Sequence, residues 1–139
     1  MIARRTAVPA DPGQLAVLNQ FLREFWTAAA LAPPGMQPFA LALEEIFMNI
    51  VMHGSEPGRT PCVEVFLDGD AAESVTMTVE DDGPQFDPLS LPPPDISVGL
   101  DQRPVGGLGV FLVRQMMDTV SYQRVGARNQ LRMIKSLAS

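Results

Sequence analysis

Residues 43–54 read LEEIFMNIVMHG, and this stretch combines an apolar helical face with a polar stripe. Its apolar side chains recur at helical spacing and group on one side, at about 100° per residue. Glu45, Asn49 and His53 follow one another at steps of four residues and group on the other side. The pattern predicts a helix that packs on a core through one face. The polar stripe fits either a water-exposed surface or the wall of a cleft.

The chain around this helix alternates between helical and strand patterns. Helices are predicted over 12–31, 36–53 and 108–118, and strands over 2–8, 62–68, 74–81, 119–125 and 129–137. Asp11 before Pro12 is an N-cap pattern, and the prolines and glycine at 32–35 are expected to end the first helix. Hairpins between strands, with helices grouped among them, predict an α+β two-layer sandwich: a mixed, mainly antiparallel sheet with helices on one face.

Length and composition restrict the class of protein. The 139 residues suit one domain spanning 1–139. The net charge of −6 disfavours non-specific binding to nucleic acid or to an anionic membrane surface. The single cysteine, Cys62, excludes an intrachain disulfide, and no apolar run is long enough to span a bilayer. A cytoplasmic protein that binds neither membrane nor nucleic acid is expected.

A second polar feature lies at the end of the strand pattern SVTMTVED, residues 74–81. Strict alternation places Asp81 on the same face as the apolar residues of the strand. A buried carboxylate is costly unless it meets a donor. Asp81 therefore either accepts a hydrogen bond from a ligand, for example from an exocyclic amine, or lies at a strand end in water. Gly83, which follows, allows a close approach that a side chain would forbid.

A third feature is the glycine-rich stretch PVGGLGVFLVRQ at 104–115. Glycines before a helix can hold a phosphate, because free N–H groups and the helix dipole both favour an anion. The stretch matches neither the GxxxxGK[ST] phosphate loop nor a GxGxxG that follows a strand. The irregular, proline-rich segment before it is long for a small domain, which favours a lid or a disordered loop.

Together, in this order, the three stretches resemble the GHKL superfamily of ATP-binding domains. Within it they are most similar to the anti-sigma-factor serine/threonine kinases that regulate bacterial sigma factors. EEIFMNIVMHG at 44–54 resembles the N box of that branch, and VEDDGPQFDP at 79–88 resembles its first glycine box. GGLGVFLVRQMMD at 106–118 resembles the second glycine box, and NQLRMIK at 129–135 the last strand. The resemblance covers nearly the whole chain.

The resemblance implies a role for each residue of the N box and of the first glycine box. Glu45 would be the general base that deprotonates or orients the acceptor hydroxyl. Asn49 would ligate the Mg²⁺ that bridges the ATP phosphates. Asp81 would bind the adenine amine, with Gly83 letting the base approach closely. His53 would line the phosphate side, although a packed histidine at a helix end fits the sequence equally well.

The resemblance also implies roles in the second half of the chain. The backbone amides of Gly107, Leu108 and Gly109 would bind the phosphates, and residues 86–106 would form a mobile lid. Arg103 lies near the place where this branch can put a lid arginine beside the γ-phosphate. One departure is Gln85, which stands where the first box often has a second glycine. A stiffer turn or a narrower pocket is expected there.

The function implied by the resemblance is that of an ATP-dependent serine/threonine protein kinase using Mg²⁺. It would phosphorylate a small STAS-like anti-anti-sigma protein and sequester a partner such as a sigma factor, and a homodimer is compatible with it. The alternative is a non-catalytic nucleotide-binding regulatory module that acts by partner switching. A histidine kinase ATPase domain is disfavoured, because the only histidine lies inside the N box and no dimerisation helix carries a phosphoacceptor histidine.

Overall fold

The computed structural model describes residues 1–54, 56–70, 73–90 and 107–137. Its strands are β1 (Ile2–Pro9), β2 (Cys62–Gly69), β3 (Ser74–Asp81), β4 (Thr119–Val125) and β5 (Arg128–Ser136). Its α-helices are α1 (Leu15–Ala28), α2 (Gln37–His53) and α3 (Gly107–Met116). The predicted order of helices and strands is confirmed.

The five strands form one sheet in the order β1-β2-β3-β5-β4, and each neighbouring pair is antiparallel. Alternate residues of β2, among them Val63, Val65 and Leu67, are buried, whereas the residues between them are half-buried. The helices therefore cover one face of the sheet and leave the other open to solvent. The predicted α+β two-layer sandwich is confirmed, and its sheet is antiparallel throughout the described strands rather than mixed.

The core lies between the sheet and the helices. Phe25 of α1 and Phe39 and Phe47 of α2 are fully buried against the inner faces of β2, β3 and β5. Val113 of α3 joins the same core. The polar stripe of α2 reaches the ends of β3 and β5 through Asn49 and the start of α3 through Glu45. Within the described ranges, no helix is long and apolar enough to cross a lipid bilayer.

Both ends of the first helix differ from the prediction. Asp11 accepts a hydrogen bond from the Gly13 N–H at 3.0 Å, as an N-cap, but it caps a 3-10 turn that precedes α1. At the other end, α1 stops at Ala28, before the prolines. Ala30 has a left-handed backbone with φ of 56°. Its N–H donates to Thr27, and the next N–H, from Leu31, donates to Trp26. This is a Schellman motif, which ends the helix without proline.

Ala30→Gly is expected to stabilise the fold by about 0.5–1 kcal/mol, because glycine adopts positive φ without the steric cost of a Cβ. Urea denaturation measures the change in the free energy of unfolding. Ala29→Gly is the matched control, because φ at that position is −82°. A glycine there gains nothing and is expected to destabilise by up to about 1 kcal/mol. Equal effects of the two substitutions would contradict the assignment.

Candidate functional site

A small cavity lies between α2 and the adjoining ends of β3, β4 and β5. It is lined by Ile46, Asn49, Ile50, Val79, Asp81, Phe86, Pro88, Tyr122, Asn129 and Leu131. Most of this wall is apolar. The buried polar side chains are Asn49, Asp81 and Asn129, with exposed fractions of 4%, 6% and 6%. An apolar wall with a few convergent polar groups is typical of a small-molecule site.

The cavity is narrow. Its free volume is about 20 Å³, which is room for about one water molecule. Phe86, Pro88 and Tyr122 narrow it, whereas Gln85 is exposed and does not line it. A purine base is much larger than one water molecule. The cavity in this conformation therefore does not hold a base.

Asp81 is the last residue of β3, and its predicted position on the buried face is confirmed. Its Oδ1 accepts hydrogen bonds from the Gly83 N–H at 2.9 Å and from the Asn129 amide at 3.0 Å. Within 1–54, 56–70, 73–90 and 107–137, no group donates to Oδ2. The carboxylate thus has one oxygen bound to the protein and one oxygen left for a ligand.

Gly83 is crowded by its own protein neighbours. A Cβ at this position would lie 3.0 Å from Asp81 Oδ1 and 3.3 Å from Pro61 Cγ. A side chain here would therefore crowd Asp81 and Pro61, whatever binds in the cavity. Its role in letting a base approach stays a prediction.

Asn49 has an incomplete set of hydrogen bonds. It lines the cavity from α2, and its Nδ2 has no hydrogen-bond partner among the described residues. An unsatisfied buried polar group typically costs about 1–3 kcal/mol, so its presence calls for a reason. A hydrogen-bond acceptor on a ligand, such as a phosphate oxygen, would provide one.

The predicted Mg²⁺ site would use the amide oxygen of Asn49, not the unpaired Nδ2, and it stays a prediction. No group of three or more His, Cys, Asp or Glu side chains that could hold a metal occurs in the described part of the chain. Magnesium usually keeps several waters and binds through few protein oxygens plus substrate phosphates. The amide oxygen of Asn49 fits that limited role.

Glu45 lies one turn before Asn49 and contacts the start of α3. Its carboxylate packs directly on Gly109, so closely that a Cβ added to Gly109 would overlap it and would lie 2.9 Å from the Glu45 Cγ. Burial, and secondarily the negative charge of Glu44, raises the pKa of the Glu45 carboxyl above its ordinary value of 4.5. A raised pKa makes a carboxylate a better proton acceptor, as a general base requires.

His53, the third residue of the stripe, is exposed at the end of α2. Its ring stacks on Phe86, with centroids 4.4 Å apart and planes 16° from parallel. It therefore contacts the segment that follows Gly83. Its predicted role at the phosphates stays a prediction.

The second glycine box begins α3. Gly107, Leu108 and Gly109 form the first turn of that helix, where backbone N–H groups have no partner within the helix. This placement suits the predicted binding of phosphate, which stays a prediction. Arg103 and residues 91–106 of the predicted lid lie outside the described residues.

The sequence reasoning missed Asn129 and Tyr122. Asn129 lies opposite Asp81 in the β3–β5 register. Its amide donates to Asp81 Oδ1 and to the Pro84 carbonyl, and its Oδ1 accepts from the Phe86 N–H and the Tyr122 hydroxyl. The sequence does contain a signal for Asn129, which precedes the alternating buried residues of β5. The alternation that placed Asp81 on the buried face of β3 applies equally here.

Comparisons with known proteins identify the family of the chain. The family profile described as histidine kinase-like ATPase domain matches residues 8–135. Serine/threonine-protein kinase BtrW of Bordetella bronchiseptica is 31% identical over 110 residues, covering 79% of this chain and 73% of that protein. Serine-protein kinase RsbW of Listeria monocytogenes is 28% identical over 120 residues, covering 81% of this chain and 74% of that protein.

Proposed function

The chain belongs to the histidine kinase-like ATPase domain family, and we propose that it is an ATP-dependent serine/threonine protein kinase of the anti-sigma-factor type. The observation that carries the proposal is the arrangement of three side chains. Asp81 and Asn49 are buried in one cavity with unmet hydrogen-bonding capacity, and Glu45 lies one helical turn before Asn49, against Gly109. The two relatives, both named as kinases, support the same reading.

In the proposed reaction, the base of ATP occupies the cavity and donates its exocyclic amine to Asp81 Oδ2. The phosphates extend toward Asn49 and the first turn of α3. Asn49 would hold Mg²⁺, which supplies positive charge to neutralise the phosphates. As the acceptor oxygen bonds to the γ-phosphorus, the bond from that phosphorus to the β-phosphate oxygen breaks and ADP leaves. Glu45 accepts the proton of the serine or threonine hydroxyl.

The proposed protein substrate is a small STAS-like anti-anti-sigma protein, and the proposed sequestered partner is a sigma factor. Both follow from the resemblance of the three sequence boxes to anti-sigma-factor kinases. A transfer assay with purified STAS proteins, followed by mass spectrometry of the acceptor, tests the substrate. A phosphate found on serine or threonine of one such protein is the expected result.

Asp81→Asn is expected to weaken ATP binding by about 5- to 150-fold, the effect of leaving one donor without its acceptor. The amide keeps an oxygen for the Gly83 N–H and the Asn129 amide, so the fold should be retained. The substitution replaces Oδ2 by an NH₂ group, so that two hydrogen-bond donors, this group and the adenine amine, face each other. Calorimetric titration with Mg-ATP measures the affinity, and Glu24→Gln, at an exposed carboxylate of α1, is the control. If wild type binds no ATP at millimolar concentration, the proposal is wrong.

The second candidate is a non-catalytic regulatory module that keeps the fold, with or without a bound nucleotide, and regulates partners by competitive association. The observation in its favour is the free volume of about 20 Å³, which holds no base without rearrangement. A protein of this kind would bind a STAS-like partner in pull-down experiments without transferring phosphate, whether or not ATP is added. Phosphate transfer by wild type, lost in an Asp81 variant, would exclude it.

A further inference from the structure

Asn129 joins three parts of the site. From β5 it bonds to Asp81 at the end of β3, to Tyr122 of β4, and to the backbone at Pro84 and Phe86. The amide orientation follows from chemistry: the Phe86 N–H can only donate, so the atom that it meets at 3.1 Å is the Asn129 oxygen. The amide nitrogen then faces Asp81 Oδ1 and the Pro84 carbonyl, at 3.0 and 2.8 Å.

These contacts use the whole bonding capacity of the side chain. An asparagine amide has two donor hydrogens and an oxygen with two lone pairs. Asp81 and Pro84 take the hydrogens, and Phe86 and Tyr122 supply donors to the oxygen. Burial, the largest influence, raises the pKa of the Tyr122 hydroxyl, so Tyr122 remains a donor. Asn129 therefore has nothing left to offer a ligand directly, and any effect on binding passes through its partners.

The partner that matters for a ligand is Asp81. The Asn129 amide and the Gly83 N–H converge on the same oxygen, Oδ1, and so fix the rotation of the carboxylate. Rotation of the carboxylate decides which oxygen reaches the cavity and in which direction its lone pairs point. The bonds to Pro84 and Phe86 hold the start of the following segment in the same unit.

We infer that Asn129 is a positioning residue for base recognition: it holds Asp81 so that Oδ2 is presented to the exocyclic amine of a purine nucleotide. This inference rests on the proposed function, because it takes an adenine nucleotide as the ligand of the cavity. It adds to that function a residue that does not touch the nucleotide yet sets the preference for an amino-substituted base.

The test compares ATP with purine riboside triphosphate, which lacks the exocyclic amine, by titration of wild type and Asn129→Ala. Wild type is expected to bind ATP about tenfold or more tightly than the analogue, the usual effect of one satisfied donor. In Asn129→Ala this ratio is expected to fall to about threefold or less, with affinity for the analogue nearly unchanged. A role that is only structural would weaken both ligands by the same factor, and that result would overturn the inference.

Two further variants make the test independent of folding problems in Asn129→Ala. Tyr122→Phe removes one donor to Asn129 and leaves Asp81 untouched, and it is expected to lower the ratio by about two- to threefold. Gln130→Ala is the matched control, because Gln130 follows Asn129 in β5 but donates to Glu80 and accepts from Gln123 instead. Its ratio is expected to equal that of wild type, and a lower ratio in this control would overturn the inference.

The outcomes separate the inference from the proposed function. If wild type prefers ATP to the analogue and this preference persists in Asn129→Ala and Tyr122→Phe, only the positioning role is disproved. If wild type binds ATP and the analogue equally well, both this role and the recognition of adenine by Asp81 are disproved. Hydrogen exchange of the Phe86 amide gives a direct readout, because that N–H donates to Asn129. Faster exchange at Phe86 alone in Asn129→Ala supports the role, and unchanged exchange contradicts it.

Discussion

Phosphate transfer is expected to fall by about two to four orders of magnitude in Glu45→Gln, the usual contribution of a general base. Glutamine has nearly the same shape as glutamate but cannot accept the proton. Glu45 does not line the cavity that would hold the base. Affinity for ATP should therefore stay within about threefold of wild type, well under the effect of losing a satisfied hydrogen bond. Single-turnover transfer to the acceptor protein, measured beside ATP titration, separates the two effects.

Glu24→Gln is the control for this comparison, since it neutralises an exposed carboxylate on α1 that bonds only to Gln20 among the described residues. It should leave both transfer and ATP affinity unchanged. If Glu45→Gln transfers phosphate at the wild-type rate, Glu45 is not the base. If Glu45→Gln loses both phosphate transfer and ATP binding, the substitution has damaged the site and not the chemistry alone.

The raised pKa of Glu45 gives the same prediction a pH dependence. The base must be ionised, so transfer is expected to decline as the pH falls through a pKa above the ordinary 4.5. Because the charge of Glu44 contributes to the shift, Glu44→Gln should move the acid limb of the rate profile to lower pH. The sign for stability is opposite. The protonated carboxyl favours the folded state, a contribution present at acid pH and lost as the pH rises through the raised pKa.

Much of the fold could be predicted because local patterns agree with the tertiary structure. The alternation of β2 and β3 and the apolar face of α2 each determine a single buried side, so the layers follow. The end of α1 could not be predicted in the same way. Its stop depends on a left-handed alanine at position 30, a residue with no sequence preference for that conformation. The prolines that follow were the stronger local signal, but the chain had already left the helix.

The residues of the candidate site, too, could be predicted from the sequence only in part. Asp81 could be found from its own strand, because a carboxylate in an apolar alternation is conspicuous. Asn129 obeys the same rule, but it stands at the first inward position of its strand, before the alternation is established. Phe86 reads as an ordinary core residue, and only the tertiary structure places it against His53 and the cavity. The contact between Glu45 and Gly109 depends on how α2 and α3 pack, which neither helical pattern contains.

That contact leads to the other large expected effect. Gly109→Ala is expected to reduce phosphate transfer by about 10- to 100-fold, because the new Cβ would overlap the Glu45 carboxylate and displace it. A misplacement of about 1 Å in a reacting group can cost about two orders of magnitude. The helix itself should not be harmed. Glu45 is a flexible, half-buried side chain that can move away, and alanine favours a helix over glycine by about 1 kcal/mol.

Gly13→Ala is the matched control, because a Cβ there meets only Asp11 Oδ1 at 3.6 Å, an ordinary contact. Thermal unfolding of both variants shows whether stability is retained. The decisive comparison places Gly109→Ala in the Glu45→Gln background. If Gly109 matters because it leaves room for the base, the second substitution adds little to the loss already caused by the first. A full additional loss in that background would mean that the added Cβ disturbs the first turn of α3 itself, independently of Glu45.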